Sequence, residues 1–390
     1  MITVDEALGH IFELVTPLGT ETVPLREAAG RVLAAPVTAA RNQPPFAASI
    51  MDGYAIATAE ASPGDSFQVI GEAAAGRAFD GSLASGQAVR IFTGAPVPKG
   101  ARRVVIQEDA DRDGDWIVLR EGMDSNLYIR EIGADFKAGQ TIDPPLRLTP
   151  AHISLIAAMN VAEVTVARRP TVALIATGDE LVMPGEDPGP DQIVASNGLG
   201  IAAALEREGA ETRLLPIARD NREALEACFA LARGADLVVT IGGASVGDHD
   251  LVGQVAAELG MHRAFYKIAM RPGKPLMAGR MHGAAMVGLP GNPVSSMVCA
   301  HIFLCPMIRA MQGLPKSSMP TMTAPLAARV GANGPRQHYM RGTLAGGRIT
   351  VADRQDSALL SVLAGANVLV VRPPNDAARD AGDPVAFIEY

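Results

Sequence analysis

The stretch Thr240-Ile-Gly-Gly-Ala-Ser-Val-Gly-Asp-His-Asp250 closes an apolar run, Asp236-Leu-Val-Val-Thr-Ile241, on two glycines and then on hydroxyl and carboxylate side chains. A strand that ends this way presents backbone N–H groups and short polar side chains to an anion, as open α/β sheets do at the C-terminal ends of their strands. Two further stretches lie close by in sequence. Met270-Arg-Pro-Gly-Lys-Pro275 adds cations, and Gly288-Leu-Pro-Gly-Asn-Pro293 adds a second glycine-shaped loop. Three such loops in one α/β unit predict a site for a phosphorylated or oxyanionic ligand.

Around this stretch the chain alternates strand and helix. Val172–Ile175 reads as a strand, 197–208 as a helix, 212–217 as a strand, 221–233 as a helix, 237–241 as a strand and 250–259 as a helix. That period predicts βα units on a mostly parallel sheet. Thr177-Gly-Asp-Glu180 and Gly242-Gly243 then fall at the C-terminal strand edge. Upstream, Thr3 and Glu6 form a capping-box pattern that opens a helix over 4–15. Asn42-Gln-Pro-Pro-Phe46 is a rigid extended linker. Short apolar runs at 67–70, 88–92, 103–106 and 116–119, separated by turns, predict a small β-domain between about 46 and 145. Pro150 starts a helix to Met159, expected to pack back on the first helix. From about Pro320 short strands return.

Charge is segregated. From Leu259 to Ala352 there is no Asp or Glu but eleven Lys and Arg, so the rest of the chain carries −19 against a total of −8. Such a segment attracts anions; a basic surface for a partner protein is the competing reading. At 390 residues two to four domains are expected. Low aromatic content and no nucleic-acid motif argue against nucleic acid as a partner. No apolar run of about 20 residues points to a membrane span. The acidic, amphipathic N-terminus is unlike a signal or transit peptide. Cys228, Cys299 and Cys305 are an odd set without metal-ligand spacing, which fits reduced thiols in the cytoplasm.

Familiar nucleotide fingerprints are missing: no Gly-x-Gly-x-x-Gly opens a helix, and Gly273-Lys274-Pro275 lacks the P-loop spacing. No nucleophile elbow is present either. Asp52, Thr93, Asp135 and Glu180 sit in turn-like contexts, where capping a turn competes with a functional role. Asp248 and Asp250 could hold Mg²⁺ beside a phosphate or could cap the next helix. Lys267, Arg271 and Lys274 form a cationic trio bent by Pro272-Gly273. Asn292 reads as a loop-locking residue whose following helix points N–H groups at a ligand.

These residues, in this order, resemble the molybdopterin molybdenumtransferase family, which includes the E domain of gephyrin and of plant fusion proteins. The match covers nearly the whole chain: Pro45-Phe46…Ser49-x-Met51-Asp-Gly-Tyr54, Thr93-Gly-Ala-Pro96, Arg130…Gly133-x-Asp135, Ala176-Thr-Gly-Asp-Glu180, Ser196-Asn197, Gly242-Gly-x-Ser-Val-Gly-Asp-x-Asp250, Lys267…Arg271-Pro-Gly-Lys274 and Gly288-Leu-Pro-Gly-Asn-Pro-Val-Ser295. The resemblance implies insertion of molybdate into adenylylated molybdopterin with release of AMP, Mg²⁺ as cofactor, and a cytoplasmic homodimer. It implies an α/β multidomain fold. A discontinuous linker/dimerisation domain (1–45 and 146–169) and an inserted β-domain (46–145) precede a three-layer α/β molybdopterin-binding domain (170–315). A C-terminal β-barrel-like domain (316–390) follows.

Residue roles carry over in groups. Lys267, Arg271, Lys274, Arg341 and Ser361 match the shell for molybdate and phosphate. Asp220 and Asp250, with Asp248, match the nucleotide and metal side. Ser196, Asn197, Gly242, Gly243, Ser245, Pro290, Asn292 and Pro293 match substrate-binding positions. Asp52, Thr93, Asp135 and Glu180 match cleft residues, with Asp52 and Thr93 reaching across the dimer. The molybdopterin adenylyltransferase and apo-molybdoenzymes are the implied protein partners. Two departures stand out: Ala47-Ala48 replaces the Asp-Asn of many members, and Arg271 stands where Lys is also common, which makes a fork of a point charge. Adenylylation of molybdopterin by a related single-domain fold is disfavoured by the extra domains. A catalytically silent scaffold of the same fold and a tungstate-specific insertase compete with the insertase reading.

Overall fold

The run that ends in Gly242-Gly243 forms the strand Leu237–Ile241, with all five residues buried. The computed structural model describes residues 1–243 and 251–390. The strand lies in a six-stranded sheet, in the order Glu211–Leu214, Thr171–Ala176, Leu237–Ile241, Ala284–Leu289, Met277–Met281, His262–Tyr266. The first four are mutually parallel, and Met277–Met281 runs antiparallel to both of its neighbours, Ala284–Leu289 and His262–Tyr266. Helices cover both faces, so alternate residues of each central strand feed two cores. Val172, Leu174, Leu237, Val239 and Ile241 enter one, with helices α3 (Asn197–Arg207), α6 (Pro293–Cys299) and α7 (Cys305–Met311). Ala173, Ile175 and Val238 enter the other, with α4 (Arg222–Leu231) and α5 (Leu251–Glu258). This is the expected three-layer α/β arrangement.

The helix expected after Asn292 runs from Pro293 to Met311 but is not α-helical throughout. A π segment, Ala300–Leu304, separates α6 from α7. Pro306 explains it: proline has no N–H to give four residues back, and its ring clashes with that carbonyl, so the wider turn takes up the mismatch. By length and apolarity this helix could cross a membrane, yet 89% of it is buried inside the protein. It is a core helix.

The chain divides into two compact units, Met1–Glu21 with Ala167–Tyr390, and Thr22–Val166. Helix α1 (Val4–Glu13) has its capping box as read: the Thr3 hydroxyl accepts from the Glu6 N–H at 3.2 Å, and the Thr3 N–H donates to Glu6 Oε2 at 2.7 Å. Its apolar stripe, Val4, Ala7, Leu8 and Ile11, is buried in the α/β core. Helix α2 (Pro150–Ala158) instead packs with Val23, Leu25, Leu148 and Val164 in the second unit. The stripe of α1 is satisfied by the sheet core, which periodicity alone could not foretell.

In the second unit the four apolar runs become strands Ser66–Ala73, Gln87–Ile91, Arg103–Ile106 and Trp116–Leu119. With Gly53–Ile56 and Ala110–Asp113 they make a six-stranded sheet. In the first unit the C-terminal block forms a six-stranded sheet that includes Met270–Arg271, paired in parallel with Gln337-His338. The Arg-Pro-Gly-Lys loop is thus anchored in the C-terminal sheet.

Two histidines of the first unit are buried, His301 at 4% and His338 at 6% exposure. Burial pushes each imidazole down to about 4; neighbouring arginines push the same way, and at His301 the Glu389 carbonyl opposes them. With both folded values below the unfolded one, the unfolded chain binds more protons as pH falls from about 6.5 to about 4. Acid should therefore remove up to about 3 kcal/mol of stability per histidine. Urea unfolding at pH 7.5 and 4.5 checks this: His301→Gln and His338→Gln are expected to lose markedly less stability between the two pH values than the parent chain.

Candidate active site

The parallel register sets three strand ends at one level: Ala176 opposite Ile241, and Ile241 opposite Leu289. The loops that follow line a cleft of about 1040 Å³. Thr177-Gly178, Gly242-Gly243 and Pro290-Gly291-Asn292 form its floor. The backbone ties them together, with Thr177 N–H donating to Ile241 O at 3.0 Å and Gly242 N–H to Leu289 O at 3.1 Å. Gly242 (φ +100) can be nothing else, because a Cβ there would sit 2.7 Å from the Thr177 carbonyl oxygen. A cleft at the C-terminal ends of parallel strands is where the sequence placed the site.

Two helix N-termini open onto it. Asn197 begins α3 and donates from Nδ2 to Gly291 O at 2.8 Å, locking that helix start to the Pro-Gly-Asn-Pro loop. Asn292 is the N-cap residue of α6, and Pro293 its first residue. The Asn292 side chain does not cap the helix; Nδ2 donates to Ser357 Oγ at 3.2 Å, and Val294 N–H donates to Ser357 O at 3.0 Å. Asn292 therefore does lock a loop, and the loop it holds is 356–358 of the C-terminal block. Helix N-termini of this kind favour anions through their unpaired N–H groups and dipole.

Glu180, Ser196, Asn197, Asp220, Gly242, Gly243, Pro290, Asn292 and Pro293, all expected from sequence, line the cleft. Ser245, Asp248 and Asp250 lie outside the described residues. The Glu180 carboxylate folds back over Gly178, whose lack of a side chain makes room for it. Arg219 escaped the sequence reading. Its Nη1 donates to Asp179 O at 2.9 Å and to Leu181 O at 3.0 Å, while Asp179 Oδ1 accepts from Asp220 N–H at 3.0 Å. It clamps the turn that carries Glu180. An exposed arginine beside Asp220 carries no motif signal, because its partners are backbone carbonyls.

The expected cationic group is not part of this lining, apart from its neighbour Pro275. Lys267 has φ +72, an uncommon conformation for a residue other than glycine, and its ammonium lies 5.1 Å over the Tyr266 ring. Lys274 O accepts from Ile268 N–H at 3.0 Å, closing the loop on itself. Gly273 (φ +103) packs against Cys299, leaving no room for a side chain. Arg341 is fully buried. Its Nη2 donates to Asp356 O at 2.8 Å, whereas Nε and Nη1 have no partner among the described residues. Burial, with the Arg271 guanidinium nearby, pushes its pKa below the usual range for arginine. Two donors of a buried cation are thereby left for a further acceptor. Ser361 is exposed on the short helix α8 (Leu360–Ala364), and Ala358, three residues earlier, is the part of that segment lining the cleft.

In the second unit, Asp52 Oδ1 accepts from both Thr93 N–H and Thr93 Oγ1, each at 2.7 Å. These bonds, the backbone one foremost, hold its carboxyl below the usual range. Asp135 is exposed, and its N–H donates to Gln43 O at 2.9 Å. All three cysteines are buried and burial raises each thiol, so none supplies a ready thiolate.

Residues 2–160 match the MoeA N-terminal region (domain I and II), 173–310 a probable molybdopterin binding domain, and 323–390 the MoeA C-terminal region (domain IV). The molybdopterin molybdenumtransferase of Haemophilus influenzae is 37% identical over 317 residues, covering 80% of this chain and 78% of that one. That of a Nostoc species is 34% identical over 415 residues, covering 100% and 94%. A crystal structure of a molybdopterin biosynthesis MoeA protein from Pyrococcus horikoshii superposes with a TM-score of 0.83 at 29% identity, over 100% of this chain and 99% of that one. With all three regions matched in order and relatives of this identity along the full length, the chain belongs to the molybdopterin molybdenumtransferase family, transferases of molybdenum cofactor biosynthesis.

Proposed function

We propose that the protein inserts molybdate into adenylylated molybdopterin and releases AMP. The cleft carries this reading. It offers glycine loops with no side chain in the way, two helix N-termini, and room for a ligand of nucleotide and pterin size. Gly242, Gly243, Ser196, Asn197, Pro290, Asn292 and Pro293 bind the substrate, with Ser245 of the same loop and Asp220 beside the nucleotide. Lys267, Arg271, Lys274, Arg341 and Ser361 take the molybdate dianion and phosphate, offsetting the repulsion between two negatively charged reactants.

Mg²⁺ fits the donor set. No group of three or more His, Cys, Asp or Glu able to hold a metal occurs among the described residues. Mg²⁺, however, needs only one or two carboxylates beside phosphate oxygens, and Glu180 and Asp220 line the cleft. With Asp248 and Asp250 they are the residues that would hold it. When bound it would neutralise charge on the phosphoanhydride.

An oxygen of molybdate, or a water beside it, attacks phosphorus. The phosphoanhydride P–O bond breaks and AMP departs, while the two dithiolene sulfurs bond to molybdenum and one oxide leaves with two protons as water. Positioning and charge complementarity supply the rate, and no covalent protein nucleophile takes part. Asp52, Thr93 and Asp135 are further working residues of the reaction. In a cytoplasmic homodimer, Asp52 and Thr93 act on the site of the other subunit. The molybdopterin adenylyltransferase supplies the substrate and apo-molybdoenzymes receive the product. Activation of an apo-molybdoenzyme by the reaction mixture tests this. Success only with tungstate would indicate a sister insertase, and nucleotide binding without activation a scaffold.

A further inference from the structure

The Asp52–Thr93 pair is held by a network that the family motifs do not spell out. Asp52 precedes the strand Gly53–Ile56, and Thr93 follows the strand Gln87–Ile91, which is paired with it so that Tyr54 faces Arg90. Arg90 sits between two rings, its guanidinium 5.1 Å from the centre of Tyr54 and 4.7 Å from that of Phe92. From this slot Nη1 donates to Gly53 O at 3.1 Å and Nη2 to Gln107 Oε1 at 2.7 Å. Gln107 N–H in turn donates to Asp52 O at 3.0 Å. Gly53 cannot carry a side chain, since a Cβ would run into the Val105 carbonyl, so the strand passes close to its neighbour here. The carbonyls of Asp52 and of the next residue are thus both fixed, one by Gln107 and the other by Arg90. Asp52 Oδ1 takes both Thr93 donors, leaving Oδ2 without a protein hydrogen bond among the described residues.

We infer that Arg90 is a positioning residue: set against the Tyr54 and Phe92 rings and bonded to Gly53 O and Gln107, it fixes the backbone that aims the Asp52 carboxylate for work at the reaction centre. The inference rests on the reading of Asp52 and Thr93 as working groups. Geometry and charge both point the same way. The two rings and the two hydrogen bonds together fix the guanidinium fork, which a flexible ammonium would not reproduce. The Thr93 hydrogen bonds foremost, and the Arg90 charge after them, favour the charged form of Asp52.

The experiment compares Arg90→Gln, Arg90→Lys and Asp52→Asn in the full-length protein by AMP release across pH, with thermal melting in parallel. Arg90→Gln is expected to lower kcat by about tenfold with little change in KM. It should also move the acid limb of the pH–kcat profile upward, while Arg90→Lys restores the limb more than the rate. If Asp52→Asn is inactive but Arg90→Gln keeps both rate and acid limb, the inference is wrong and the site reading stands. Full activity of Asp52→Asn would overturn the site reading and the inference with it. Should Arg90→Gln fold poorly, Arg90→Lys decides: parental kcat and KM would overturn the role, and reduced kcat at unchanged melting temperature would support it.

Discussion

Gly242→Ala is expected to lower kcat/KM for adenylylated molybdopterin on the order of 10²-fold or more. Alanine at φ +100 is strained by about 1–2 kcal/mol before any contact is considered. The added Cβ would also lie 2.7 Å from the Thr177 carbonyl and 2.9 Å from Thr177 Oγ1. Neither side can yield cheaply, because Thr177 N–H is bonded to Ile241 O and Gly242 N–H to Leu289 O. The strain must therefore rotate the glycine loop, whose N–H groups are the proposed ligand donors. Calorimetric titration with the nucleotide substrate and steady-state turnover would both register the loss. Near-parental values in both would mean the loop does not touch the substrate.

Arg341→Met should separate stability from function. Nε and Nη1 of this buried arginine have no partner among the described residues, and its charge is desolvated next to Arg271. Replacing such a cation by an apolar side chain of similar length should leave folding unchanged or stabilise it by about 1–4 kcal/mol. If the idle donors exist for an oxyanion, the same change should raise the molybdate concentration for half-maximal AMP release on the order of 10²-fold. Urea unfolding and molybdate titration provide the two readings. A variant that is less stable and binds molybdate normally would show that Arg341 only supports the loop 354–356, whose carbonyls it bonds at Arg354 and Asp356.

The local signals were legible. The capping box of α1, the strand Leu237–Ile241 and the strands at 103–106 and 116–119 stand where periodicity and turn residues put them. So does the cleft, because register in a parallel sheet lines up loops that each announce themselves by glycine. What sequence could not show depends on contacts made from far along the chain. The amphipathic stripe of α1 says that it is buried, not against what. Pro306 marks a break but not the π segment that absorbs it. The lysines and arginines of the acid-free segment looked like one group. In space, Arg341 is buried behind the 354–356 loop, whereas the glycine floor is lined without it. Arg219 and Arg90 were missed because each acts through backbone carbonyls or aromatic faces rather than through a charged partner.

AMP release by the purified protein, given adenylylated molybdopterin and Mg²⁺ with and without molybdate, tests the proposed reaction most directly. Release that depends on molybdate and saturates with it is the predicted result. Tight nucleotide binding with no AMP released under either condition would contradict the insertase mechanism and leave the cleft a binding site only.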